Sequence, residues 1–351
     1  MALVLVLAAG LWFFGRFIGA PVTARFQMIA LLYVAVLAVN VALPPGHPLR
    51  EATGGSAGEW VVLGVLGAAV WAYSVGLNRL RTRVRPENLP SDRDAASAPA
   101  RLERAARHIA LREIGGMGQQ RIEAARVLVV GAGGLGAPVL QYLAAAGVGT
   151  LGVIDDDVVE LSNLQRQTIH TDGRIGMPKV FSAEAAIRAQ NPFVTVRPYN
   201  RRLTDEIAQD LFSDYVLVVD GTDDTATRYA VNRAAAATGV PLVSGAISQW
   251  EGQVSVFDPA SGAPCYACVF PVPAAPGVSQ TCAEAGVAGP LPGVIGSIMA
   301  LEALKVITGA GETLRGRMLI YDGLHAETRT MALPNDPACA VCGSRNAPPM
   351  R

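Results

Sequence analysis

The run Arg126–Val130 (RVLVV) stops abruptly at Gly131-Ala132-Gly133-Gly134-Leu135-Gly136, and a helix-forming stretch then continues to Ala146. β-Branched side chains favour extended backbone, whereas glycines spaced G-x-G-x-x-G free the chain for a tight turn. In such a pattern the first glycine permits the turn, the second lets backbone approach a phosphate, and the third lets helix and strand pack closely. Thr150–Asp155 reads as the next strand, so the segment is a βαβ unit, which requires parallel pairing and helical cover. Val194–Tyr199, Tyr215–Asp220 and Pro241–Gly245 read as further strands, with a helix from Asp224 to Thr238. Gly252–Phe257 and Arg317–Asp322 read as strands around a helix at Val294–Thr308. The expected class is α/β: a Rossmann-like, doubly wound, mostly parallel sheet.

Taken alone, the glycine pattern indicates only a nucleotide, with NAD the usual first guess, and it also admits a purely structural turn. Asp155 ends the second strand, where an acidic residue can grip ribose hydroxyls. Downstream, Arg166 and Lys179 would put two fixed cations near the loop. Hydride transfer does not need them, but nucleotidyl transfer does, because charge develops on phosphate oxygens. The chain has no G-x-x-x-x-G-K-[ST] string, so a P-loop enzyme is not expected. Asp220-Gly-Thr-Asp-Asp224 sits at a strand C-terminus, the edge where open α/β sheets bind ligands. Asp223 offers Mg²⁺ a hard oxygen ligand, although either Asp223 or Asp224 could instead cap the next helix. Arg228 reads equally as an ion-pair partner or a phosphate contact.

Of 351 residues, 51% are hydrophobic and only 17% charged, so an apolar load must be concentrated somewhere. It lies at the N-terminus, where segments at about 2–19, 27–43 and 60–77 approach the roughly 20 residues that cross a bilayer. The first lacks the basic n-region of a signal peptide. Arg16 and Arg25 flank the first connection, while Arg79, Arg81, Arg83 and Arg85 follow the third span. The positive-inside rule then puts the loop Pro44–Glu59 outside and the rest in the cytoplasm. Residues 1–85 are thus expected to be a multi-pass anchor of about three transmembrane helices in the inner or plasma membrane. Residues 86–100 read as a linker and 101–351 as the α/β domain. Lys+Arg and Asp+Glu balance at 29 each, so no basic field draws nucleic acid, and none is expected as partner.

Five cysteines are too few for a disulfide scaffold. Cys265-x-x-Cys268 and Cys339-x-x-Cys342 supply two chelating pairs of soft thiolates, the requirement of a closed Cys₄ Zn²⁺ site that would staple the C-terminal tail to the domain. A redox pair is the rival reading. Cys282 is left over.

The strings G-A-G-G-L-G, S-N-L-Q-R-Q, G-M-P-K and D-G-T-D, the two C-x-x-C pairs and T-C-A-E-A-G span about Arg101 to Gly343. Together they resemble the MoeB/ThiF/HesA group, adenylyltransferases related to ubiquitin-activating enzymes. Within it, SNLQRQTIH, EGQVSVF and PLPGVIGS are most similar to MoeB, the molybdopterin-synthase adenylyltransferase. The resemblance implies ATP- and Mg²⁺-dependent adenylation of the C-terminal glycine of a ubiquitin-like sulfur carrier (MoaD/ThiS-like), with release of pyrophosphate. It implies Gly131, Gly133, Gly134 and Gly136 at the ATP phosphates and Asp155 at the ribose. Asn163 and Arg166 would meet phosphates, Lys179 the α- and β-phosphates, and Asp223 the Mg²⁺.

Arg107 matches an arginine that reaches the partner subunit's ATP, which implies a homodimer, although its neighbours Ala105, Ala106 and His108 depart from the family pattern. Asp224 stands where the family usually has Asn. The cysteine corresponding to Cys282 takes part in thioester or persulfide chemistry in some relatives. The attacking carboxylate is already ionised, so no general base is needed, and His47, His108, His170 and His325 are not expected to be catalytic. The alternatives are adenylation of a peptide or tRNA, a nucleotide-gated membrane scaffold, and an NAD-dependent oxidoreductase.

Overall fold

Residues 2–54, 56–84, 98–272 and 286–343 are described by a computed structural model. The chain divides into two units, Met1–Leu89 and Pro90–Arg351.

In the first unit, helices span Ala2–Phe17, Val22–Ala42 and Ala57–Val84. The third continues through Arg79, Arg81 and Arg83 rather than ending at Leu77, because arginine is a good helix former. The connection read as a loop between Pro44 and Glu59 holds a short helix, Pro48–Thr53, whose proline sits in the first turn where no N–H is needed. Its first turn is capped by His47, whose ring accepts from the Leu49 N–H at 3.3 Å. Val4, Val36 and Trp60 form a small core, and the Tyr33 hydroxyl donates to the Trp60 carbonyl at 2.6 Å. The polar exception in the second helix, Asn40, is buried and donates to the Val36 carbonyl and to Thr53 Oγ1 at 2.9 and 3.0 Å. Outward faces carry exposed Leu5, Val6, Phe13, Leu31, Val65, Val70 and Trp71. Among the described helices, Thr23–Ala42 and Leu291–Thr308 are long and apolar enough to cross a membrane, but half of the latter is buried inside the second unit.

The second unit holds one sheet in the order β3-β2-β1-β4-β5-β6-β7-β8. Its strands are β1 (Arg126–Val130), β2 (Thr150–Ile154), β3 (Thr195–Tyr199), β4 (Leu217–Asp220), β5 (Leu242–Ile247), β6 (Glu251–Phe257), β7 (Arg317–Asp322) and β8 (Glu327–Ala332). From β3 to β5 every pairing is parallel, whereas β5–β6, β6–β7 and β7–β8 are antiparallel. The sheet is therefore mixed, with four parallel and three antiparallel pairings among the described strands. The reason is connection length: Ser248–Trp250 is too short for a crossover, so β6 must fold back beside β5. β8 carries no sequence signal, because all six of its residues are exposed and no apolar face alternates along it. The supposed linker 86–100 lies outside the described residues except for Ala98–Ala100, which begin the helix Ala98–Ile109.

Period-two alternation divides the core between the faces. Val127 and Val129 join the cluster under helices Gly136–Ala146 and Leu291–Thr308, while Leu128 and Val130 join the one under Asp205–Ser213 and Thr225–Thr238. β1 sits between β2 and β4, so the strand order reverses there, and a crevice opens at the C-terminal ends of β1 and β4, where Val130 pairs with Asp220. Gly136 begins the helix leaving that crevice, and a Cβ on it would lie 1.9 Å from the Gly131 carbonyl oxygen. Backbone cannot yield as a flexible side chain can. Gly136→Ala is therefore expected to cost about 3 kcal/mol or more, read as a fall in the denaturation midpoint; an unchanged midpoint would remove this contact from the account of the fold.

Candidate active site

Gly131 has φ +90°, which favours glycine, and its N–H donates to the Ile154 carbonyl at 2.9 Å. This bond turns the chain out of β1 beside the end of β2. Gly133 differs: the nearest atom to a Cβ there is Gln167 Nε2 at 3.7 Å, so space within the fold does not demand glycine. Asp155 Oδ2 accepts from the Ala132 N–H and Oδ1 from the Asp157 N–H, both at 2.8 Å. Burial pushes the Asp155 carboxyl above its ordinary range, opposed by Lys179 and these two N–H groups.

Lys179 opens the helix Lys179–Gln190, and only 6% of its side chain is exposed, yet Nζ reaches Asp157 Oδ2 at 2.7 Å. Its charge is held almost out of water on a partner that is itself well exposed. Arg166 donates to the Ser162 carbonyl at 3.1 Å, and its Cδ lies 3.8 Å from a Cβ position on Gly134. Asn163 is buried, donating to Glu160 at 3.3 Å and accepting from Gln167 at 3.1 Å.

Asp220, Asp223 and Asp224, close in sequence, differ in environment. Asp220 is fully buried, accepting from the Thr222 N–H at 3.0 Å and the Ser244 hydroxyl at 3.2 Å, with the Arg228 guanidinium 3.5 Å away. Burial pushes its carboxyl upward against the pull of Arg228. Arg228 also donates to Ser244, to the Gly245 carbonyl and to the Thr222 carbonyl, so the ion-pair reading is realised while the residue also lines the cavity. Asp224 caps the helix Thr225–Thr238 through the Thr227 N–H at 2.9 Å and pairs with Arg202 at 2.7 Å. Burial acts upward on Asp224, but the Thr227 and Arg202 bonds together hold its carboxyl below the ordinary value. Asp223 is exposed and faces the crevice.

These groups line one cavity of about 670 Å³, in the range of small-molecule sites, about 300–1,000 Å³. It brings together Gly131, Gly133, Gly134, Asp155, Asn163, Arg166, Lys179 and Asp223. Gly136 supports the loop from beneath without lining the cavity. Arg107 is exposed on the helix Ala98–Ile109 and is not among the lining residues. Cys282 lies outside the described residues. Sequence reasoning missed Arg201 and Arg202, which follow β3 and reach the crevice only because β3 lies beside β2. It also missed an aromatic wall of Tyr229, Tyr266 and Phe270.

That wall grows from the cysteine cluster. Cys265, Cys268, Cys339 and Cys342 place their sulfurs within 4.8 Å of one another. Cys265–Cys339 is 3.6 Å, Cys265–Cys268 3.9 Å and Cys268–Cys342 3.4 Å. A tetrahedral zinc with bonds of about 2.3 Å requires edges of about 3.8 Å, whereas a disulfide requires about 2.05 Å. The four sulfurs are thus close enough together to hold one metal ion, with edges near those of a tetrahedral Zn²⁺ site. Tyr266, between the first two cysteines, packs its ring edge-on against Tyr229 at 5.3 Å, tying the cluster to the cavity.

A model of the ThiF family matches residues 105–341. The chain belongs to the ThiF family. It is 50% identical over 246 residues to a sulfur carrier protein adenylyltransferase of Thermus thermophilus, covering 69% of this chain and 91% of that protein. It is 47% identical to the SAMP-activating enzyme E1 of Haloferax volcanii, covering 69% and 89%. Among solved structures, E. coli MccB with MccA-N7isoASN superposes with a TM-score of 0.62 at 19% identity, covering 71% of this chain and 75% of that one, a likeness of fold. The ThiF match excludes the N-terminal unit, Met1–Leu89.

In this ThiF-family domain the Asp220–Arg228 pair supports the crevice floor. Arg228→Met leaves a buried carboxylate without its cation, at an expected cost of about 3–5 kcal/mol at pH 7. Because the folded Asp220 pKa is already raised, protonation favours the folded state. The loss relative to wild type should therefore shrink as pH falls toward that value. Urea unfolding at pH 7 and pH 5 reads this; an equal loss at both would detach Asp220 from the effect.

Proposed function

We propose that the chain adenylates the C-terminal glycine of a ubiquitin-like sulfur carrier protein with ATP, releasing pyrophosphate. The observation that carries this is 50% identity to a sulfur carrier protein adenylyltransferase along 91% of its length. The cavity's chemistry is compatible. A carboxylate oxygen attacks the α-phosphorus, that bond forms, and the bond to the β-phosphate oxygen breaks. Both reactants are anions, so the site must align them and offset their repulsion.

In this reading the N–H groups of Gly133 and Gly134 face the phosphates at the start of the helix Gly136–Ala146, whose N-terminus favours anions. Arg166, Asn163 and Lys179 bind phosphate oxygens, with ATP replacing Asp157 as the partner of Lys179. Asp155 keeps lone pairs for ribose hydroxyls while holding the loop. Asp223, an exposed carboxylate facing the cavity, suits Mg²⁺, which when bound would neutralise charge on the departing pyrophosphate. Zn²⁺ in the Cys₄ cluster has no open position and acts structurally. Arg107 serves the partner protomer of a homodimer. Cys282 has no required step, because acyl-adenylate formation uses no thiol; molybdopterin-type or thiamine-type sulfur transfer are the candidate destinations.

Pyrophosphate–ATP exchange with a Gly-Gly-terminated carrier should fall by on the order of 10²–10³ in Lys179→Ala and Asp223→Ala. Exchange at the wild-type rate in either variant would sink that residue's assignment.

The N-terminal unit is proposed to anchor the enzyme as a multi-pass segment with the ThiF-family domain in the cytoplasm. Support comes from the outward apolar faces of its helices and the arginines after residue 77. The full chain should stay in the membrane pellet after alkaline carbonate washing, and its release into the supernatant would refute spanning.

A further inference from the structure

Ala132 stands between Gly131 and Gly133, two of the four glycines of the loop. Side chains from two other segments hold both of its main-chain polar groups. The N–H donates to Asp155 Oδ2 at 2.8 Å, and the carbonyl oxygen lies 2.9 Å from His170 Nε2. The other ring nitrogen of His170, Nδ1, lies 2.9 Å from Ser182 Oγ.

A carbonyl can only accept, so Nε2 carries the hydrogen. In a neutral ring Nδ1 is then the acceptor and the Ser182 hydroxyl the donor. Burial holds the His170 pKa below its ordinary value, and the facing cations Lys179 and Arg174 act in the same direction. The neighbouring acid, Asp155, lies across Ala132, and Arg174 is engaged with the Ser182 carbonyl at 2.9 Å.

The contacts close a circuit. Ser182 sits on the helix that Lys179 opens, Lys179 pairs with Asp157, and the Asp157 N–H returns to Asp155. Glycine loop, β2 terminus and helix Lys179–Gln190 are thereby joined around one alanine. Without the clamp, a loop with four glycines would have to be ordered by the ligand, at the expense of affinity.

We propose that His170, as the neutral Nε2–H tautomer, is a positioning residue that preorganises the loop Gly131–Gly136 for nucleotide. This rests on the assignment of that loop to ATP. A glutamine amide nitrogen extends about as far as histidine Nε2, whereas an asparagine amide extends only about as far as Nδ1. His170→Gln can therefore restore the bond to Ala132, and His170→Asn cannot.

ATP binding by the full chain, measured by calorimetry, should weaken about tenfold in His170→Asn and stay within about threefold of wild type in His170→Gln. Zinc content should be unchanged in both. Equal affinity in wild type and both variants, or equal loss in both variants, overturns the proposal. Absence of ATP binding by the wild type overturns the adenylation reading and this one with it. Should His170→Asn fail to fold, nitrogen chemical shifts of the wild-type imidazoles decide. A neutral His170 with the proton on Nε2 at pH 7 supports the clamp, and a charged ring or the Nδ1–H form overturns it.

Discussion

The site depends on how closely three stretches of backbone can approach at the ends of β1 and β4. A Cβ on Gly136 would strike the Gly131 carbonyl, a Cβ on Gly131 would come within 3.2 Å of the Gly221 carbonyl oxygen, and one on Gly221 within 3.1 Å of the Gly136 nitrogen. With no side chains between them, the turn after β1, the start of the next helix and the end of β4 form one continuous floor. This contact puts Asp223 in the same cavity as Arg166 and Lys179, and it leaves an open crevice where the strand order reverses.

Around this floor the buried charges are distributed by burial rather than by sequence proximity. Asp220 and Arg228 are taken out of water and hold the floor. Asp224 and Arg202 pair at the crevice edge, and Asp223 keeps an exposed carboxylate. Three acids within five residues thus have three uses. The cysteine cluster adds a second constraint, because it ties the chain around Cys339 to a short helix, Tyr266–Val269, whose aromatic face closes one side of the cavity. Holding that helix in place is a structural role that needs no open metal position.

What was legible in the sequence was local chemistry. Glycine spacing, paired cysteines and charge-free runs each act within a few residues, so the glycine turn, the clustered cysteines and the apolar N-terminal helices could be read directly. What was missed or left open depends on neighbours far away in the chain. Arg228 settles against Asp220, Ser244 and Gly245 because β4 and β5 are adjacent. Arg201 and Arg202 reach the crevice through the placement of β3. β8 pairs by main-chain bonds with β7 and buries no face, so no apolar pattern marks it. The antiparallel half of the sheet was hidden in one short connection, Ser248–Trp250.

By itself the sequence determined the ThiF-like motifs, the number and spacing of thiolates and the concentration of apolar residues before Leu77, because these are properties of residue type and order. Only the tertiary structure decided which aspartate is buried, capping or exposed. It also decided that His170 grips the glycine loop, 38 residues from Ala132. The physical reason is that hydrogen bonds and desolvation depend on distance in space. A side chain's ionisation and partners exist only once strands far apart in sequence have come to lie side by side.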